Sequence, residues 1–230
     1  AALVAAAVAV VAWPDGRTGN TAAGSAPGSP PTAQGPPATD ITTAQLRPIL
    51  LTASEIANVA KGQSVVLETD GSNLLDDSAT VDNQQCIGAW APAQQAVYAR
   101  SGDTGVAAQQ LRSLNENAWQ DSINQAVIAF PSQEQAGVSY VNQRGQWALC
   151  GGKPLTVTPA GQPAQTWDFA QPVTTSGVLT LAATMRGGTA SCQHGILARG
   201  NVLLDIRQCR GTGADVAALA TATAGKVPRQ

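Results

Sequence analysis

The chain has 230 residues, a formal net charge of −2 and 12% charged residues, about half the roughly 25% usual in globular proteins. That mildly acidic, charge-poor balance lacks the basic footprint that nucleic-acid binding requires, which sets DNA and RNA aside. The length suits one domain of ordinary size plus appendages.

The first stretch, AALVAAAVAVVAW, is apolar from Ala1 to Trp13. A bilayer-spanning helix takes about 20 residues. The run therefore reads as the outer end of a transmembrane helix with Trp13 at the interface, or as the apolar part of a signal segment. Residues 14–45 form a Pro/Gly-rich linker without apolar period, too polar to offset its own ordering entropy. Ile41, within it, marks the approach to the folded part. The domain proper is expected over residues 46–228.

LLTASEIANVAKG starts a helix: Thr52 is the N-cap, Glu55 completes a capping box, and Leu51 with Ile56 forms the hydrophobic staple. Gly62 is the expected stop. A strand over Ser64–Thr69 follows, then a polar loop through Asp76, Asp77 and Asp82 to Cys86. PAQQAVYAR reads as a short helix with Pro92 at its first position. TGVAAQQLRSL and INQAVIAF are strand candidates, and Ser132 with Gln135 opens a helix that runs toward Trp147 and Cys150. Five short β-like runs follow, and ADVAALATATAGKV closes the chain as a helix. Helices at the start, middle and end with neighbouring strands between them predict an α+β fold with an antiparallel sheet.

The four cysteines, Cys86, Cys150, Cys192 and Cys209, contain no C-x-x-C pair, and His194 is the single histidine. Two disulfides outside the cytoplasm fit this pattern; a zinc site of Cys₃His or Cys₄ type is the alternative. SCQHGILARGNVLLDIRQC chooses between pairings. Gly200-Asn201 suits a two-residue hairpin loop, which pairs Arg199 with Val202 and, further out, Cys192 with Cys209 on a non-hydrogen-bonded site. That leaves Cys86 with Cys150. In this register Gly195, Leu197, Val202, Leu204 and Ile206 face the core. His194, Asp205 and Arg207 share the other face, which either lines a ligand cleft or faces solvent.

Catalytic signatures are thin, and no residue is assigned a catalytic role. Asp103–Gly105 spells DTG, but aspartic-protease chemistry needs two such carboxylates, so a turn is the plainer reading. A hydrolase using His194 as base would lack a G-x-S-x-G elbow, and nucleotide-binding motifs are absent. No cofactor or metal is expected. Trp90, Trp119, Trp147 and Trp167 are spread through the domain as core or as a binding platform.

The segments LLTASEIANVAKG, CIGAWAPAQQAVY, AVIAFPSQEQA, QWALCGG, SCQHGILARGNVLLDIRQC and ADVAALATATAGKV, with all four cysteines, resemble in order the PknH-like extracellular sensor domain of mycobacteria, from about Leu46 to Val227. The resemblance implies an α+β fold with a central cleft and disulfides Cys86–Cys150 and Cys192–Cys209, agreeing with the hairpin register. It implies a non-catalytic, extracytoplasmic ligand-sensing domain, joined through an N-terminal membrane helix to a Ser/Thr protein kinase, or else a secreted or wall-associated binding protein. The expected ligand is a small molecule, glycan or lipid of the cell envelope, and a homodimer is left open.

Overall fold

A computed structural model describes residues 40–228 apart from 62, 114–120 and 212. The apolar run Ala1–Trp13, most of the linker, Gly62 and Trp119 therefore lie outside the described residues. Among the described residues, no helix is long and apolar enough to cross a membrane.

The described strands are β1 (Val66–Gly71), β2 (Gly105–Arg112), β3 (Ser122–Ala129), β4 (Pro154–Val157), β5 (Gln165–Phe169), β6 (Val173–Thr175), β7 (Val178–Met185), β8 (Ser191–Arg199) and β9 (Val202–Arg210). They form one sheet in the order β1-β2-β3-β9-β8-β7-β5-β4, with β6 beside β7, and every pairing is antiparallel. The helices are α1 (Ala53–Val59), α2 (Ile87–Trp90), α3 (Gln95–Tyr98), α4 (Gln133–Cys150) and α5 (Val216–Lys226). This is the α+β class that the element pattern implied.

Both faces of the central strands are covered. On one, α1 and α5 bring Ile56, Val216 and Leu219 onto Leu111, Ile123 and Ile206. On the other, α2 and α4 bring Ile87, Trp90 and Trp147 onto Trp167, Phe169 and Leu181. Tyr98 of α3 and Ala136 of α4 pack there with Ile128 and Leu203. The folded unit begins before residue 46: Ile41 is buried and its backbone N–H donates to Asn201 Oδ1 at 2.8 Å.

Local signals hold where the side chain itself makes the bond. Thr52 and Glu55 form the full capping box of α1, although the helix ends at Val59 rather than at Gly62. Ser132 caps α4 by accepting from Gln135 N–H, which is the outer half of the expected box. Pro92 does not start a helix: α3 begins at Gln95, and the chain before it turns through Ala93 at φ 55. The Gln94 side chain, fully buried, bonds to Asp77 and to the Pro92 carbonyl, so the tight turn replaces a first helical turn.

The β8–β9 hairpin has the expected register from Arg199↔Val202 to Cys192↔Cys209. Gly200 takes the left-handed conformation at φ 56. Asn201 is the second loop residue, as expected, and its buried amide in addition clamps Ile41 and the Phe130 carbonyl. Disulfides join Cys86 to Cys150 and Cys192 to Cys209, with Cα separations of 5.7 and 4.0 Å. All four thiols are thereby consumed, which removes the zinc alternative.

Candidate functional site

His194 and Asp205 do share a face, as the hairpin register required, but that face is neither solvent-exposed nor an open cleft. They are 2% and 1% exposed, covered by α2, α3 and α4. This overturns the expectation of a half-solvated sheet face. The signal was present in VLLDI, Val202–Ile206, where every residue is buried: a strand covered on both sides reads as a near-continuous apolar run rather than an alternation.

A chain of hydrogen bonds satisfies the polar groups sealed there. His194 Nδ1 lies 3.1 Å from the Ala89 carbonyl, and Nε2 lies 2.5 Å from Asp205 Oδ1. A carbonyl can only accept, so Nδ1 donates, and a proton is shared between Nε2 and Oδ1. Asp205 Oδ2 accepts from Tyr98 Oη–H at 2.7 Å and from Ala93 N–H at 3.0 Å. Gln143 Nε2 donates to Tyr98 Oη at 2.8 Å, completing the path to α4. Burial and the neighbouring Asp205 charge push the Tyr98 phenol well above its usual range. The Trp147 ring packs on the imidazole, with centroids 4.6 Å apart. Both ring nitrogens of this enclosed histidine are thus engaged by protein partners rather than presented to a substrate.

Arg207 points along the same face but is not joined to His194 or Asp205. Its guanidinium sits over the Trp90 ring at 4.6 Å from the centroid and donates to the Trp90 carbonyl at 3.2 Å. With the Asn124 amide turned to suit its neighbours, the Asn124 oxygen accepts from Nη2 at 2.9 Å. Burial lowers the Arg207 pKa to about 10 against the opposing pull of Asp77. Trp90 continues into an aromatic cluster with Trp167 (4.9 Å) and Phe169 (6.4 Å). Trp90, Trp147 and Trp167 are all buried, so these three serve the core rather than an exposed platform.

The opening on this face lies one layer further out. A groove of about 860 Å³ runs between α4 and the segment formed by Gln84–Cys86, α2 and α3. Its floor holds Ala89, Gln143 and Trp147, and its rim carries the amides Gln84, Gln85, Asn142 and Gln146. Arg100 is the one charged residue among the described residues lining it. Two buried polar atoms of the floor, Gln143 Oε1 and Trp147 Nε1, have no hydrogen-bond partner. Ala89 and Gln143 are also the two ends of the buried chain, so floor and hairpin are directly connected.

The model of the PknH-like extracellular domain matches residues 41–226. The chain belongs to that family. It is similar to a part of two kinases: the serine/threonine-protein kinase PknH of Mycobacterium bovis and that of Mycobacterium tuberculosis are each 29% identical over 167 residues, 72% of this chain. The chain spans about a quarter of those relatives, 28% and 26% of their lengths. The crystal structure of the extracellular domain of PknH from Mycobacterium tuberculosis superposes with a TM-score of 0.72 at 27% identity. It covers 82% of this chain and 95% of that one. Family and fold agree: this is an extracellular-type, non-catalytic domain, and the kinases' catalytic part lies outside the matched region.

Sequence reasoning missed Tyr98, Gln143 and the Ala89 carbonyl. Gln143 was within reach of it. In α4 the buried positions Ala136, Ser139, Gln143, Trp147 and Cys150 recur at helical spacing, so a glutamine stands on the inward stripe and needs a buried partner. The Ala89 carbonyl carries no side-chain signal at all.

Proposed function

We propose that this chain is the ligand-sensing domain of a membrane-anchored serine/threonine kinase, held outside the membrane by the apolar N-terminal segment and the linker. We further propose that the groove beside α4 receives a neutral, hydroxyl-rich glycan of the cell envelope. The observation carrying this reading is the groove's chemistry. Its rim is amide-rich and nearly uncharged, its walls include Val97 and Ile87, and its floor keeps one unpartnered donor and one unpartnered acceptor. Amides pair with hydroxyls in either direction, while the apolar walls pack on the C–H faces of a sugar ring. A ligand contacting Gln143 or Ala89 would bear on the Tyr98–Asp205–His194 chain and hence on the stapled hairpin, which offers a route for the signal.

Residues 37–230 hold the described core and both disulfides, and suffice for the test. Isotope-labelled protein is titrated with glycan fragments released from mycobacterial wall by muramidase, and separately with vesicles of extracted mycobacterial lipid. Saturable shifts confined to α2, α3 and α4, weakened at least tenfold by Asn142→Ala with Gln146→Ala, are expected for the glycan. Vesicle binding without glycan binding, or shifts centred elsewhere, would overturn the glycan assignment. A protein-kinase domain encoded upstream of Ala1 is the expected gene context, and a gene without one refutes the kinase half.

A further inference from the structure

Helix α4 buries one stripe and leaves an unusually apolar one facing outward. Val138, Val141 and Leu149 are 54%, 62% and 62% exposed, three of the six large apolar side chains exposed among the described residues. On a helical projection they lie with Gly145 and Ala148 opposite the buried stripe. Gly145 needs no explanation from inside the molecule, since a Cβ there would meet nothing within 4 Å. A glycine in a helix interior weakens it relative to alanine, so here it lowers the surface where a second backbone can approach.

The ends of the stripe carry opposite charge. Glu134 stands exposed in the first turn, and Lys153 stands exposed just beyond the last. A two-fold axis crossing α4 midway between Asn142 and Gly145 would set Val138 against Leu149 of a second copy and Val141 against Gln146. The same axis brings Glu134 to the level of the second copy's Lys153. The face is thus complementary to itself in both hydrophobicity and charge, as an isologous contact requires. We propose that α4 is a self-association surface on which a second copy of this chain packs antiparallel.

The face is small. An 18-residue helix is about 27 Å long and its contact strip about 10 Å wide, well under the roughly 800 Å² per partner of a standard interface. The dimer is accordingly weak and suits chains tethered at high local concentration. Val138 and Leu149, like Asn142 and Gln146, also line the groove, whereas Val141 does not; the two surfaces share an edge, and Val141 is the position that tests self-association apart from ligand binding.

Residues 37–230 are examined by sedimentation equilibrium up to about 1 mM, a concentration that populates contacts with micromolar to millimolar Kd. A monomer–dimer equilibrium is expected. Val141→Asp, whose exposed site leaves the fold intact, weakens it at least tenfold. Glu134→Lys weakens it, and adding Lys153→Glu restores it. As a second measurement, all four native cysteines are in disulfides, so Gly145→Cys introduces a single thiol. Two such thiols are expected to join through a short bismaleimide, whereas Glu134→Cys, about 28 Å from its counterpart along the helix, does not join to itself. A monomer at 1 mM with no Gly145→Cys cross-link overturns the proposal. So does a dimer indifferent to Val141→Asp, or lipid-vesicle binding that Val141→Asp abolishes in a protein that stays monomeric.

Discussion

Asp205 separates two accounts of what its buried cluster contributes, because alanine and asparagine disturb it differently. Alanine removes both oxygens and strands three donors: the shared proton at His194 Nε2, the Tyr98 hydroxyl and the Ala93 N–H. With His194, Tyr98 and Asp205 each no more than 2% exposed, water cannot replace the lost acceptor. Breaking a buried pair in this way costs about 3–5 kcal/mol, or roughly 6–20 °C in Tm for a domain of this size. Asparagine keeps one oxygen for Tyr98 and Ala93 and presents an NH₂ to His194. The imidazole can answer by accepting at Nε2 while Nδ1 still donates to Ala89. Every partner is then satisfied, and the loss should stay near 1 kcal/mol, about 2–4 °C. Urea denaturation of Asp205→Ala and Asp205→Asn, with thermal melts alongside, reads the difference. Equal destabilisation of the two variants would refute the claim that hydrogen-bond satisfaction governs this cluster, as would an alanine variant losing under about 1 kcal/mol.

Two further outcomes follow from particular contacts. The Glu55 carboxyl is drawn down from 4.5 to about 2, first by the Thr52 backbone N–H and then by Lys226. Its folded-state pKa being depressed, the unfolded chain binds more protons between those values. The contribution is therefore present above pH 4.5 and fades as pH falls toward 2. Because Glu55 is 41% exposed, screening keeps it below about 1 kcal/mol. Glu55→Gln should flatten this part of the stability–pH curve, and an unchanged slope counts against it. Gly195 lets α5 lie close on β8: an added Cβ would come within 2.8 Å of Val216 Cγ1, and Val216 is fully buried. Gly195→Ala should cost about 1–3 kcal/mol of overpacking in urea denaturation, and a neutral effect would mean that α5 can shift.

The local chemistry of the chain fixed what depends on neighbours in sequence. The Thr52–Glu55 box starts α1, the helical spacing of Val216, Leu219, Ala220 and Thr223 makes α5, and one left-handed glycine at position 200 sets a register that carries Cys192 to Cys209. Each bond or pairing there spans residues whose separation the chain already specifies. What lies above a sheet face is a different matter, because it depends on segments distant in sequence. His194 and Arg207 stand opposite each other in the hairpin, yet α2 and α4 place one beneath Ala89 and Trp147 and set the other over the Trp90 ring. The hairpin alone determined that His194 and Asp205 are neighbours. Only the packing of three helices, converging from positions roughly 50 to 120 residues away, decided that they are sealed in the core, with the open groove one layer outside them.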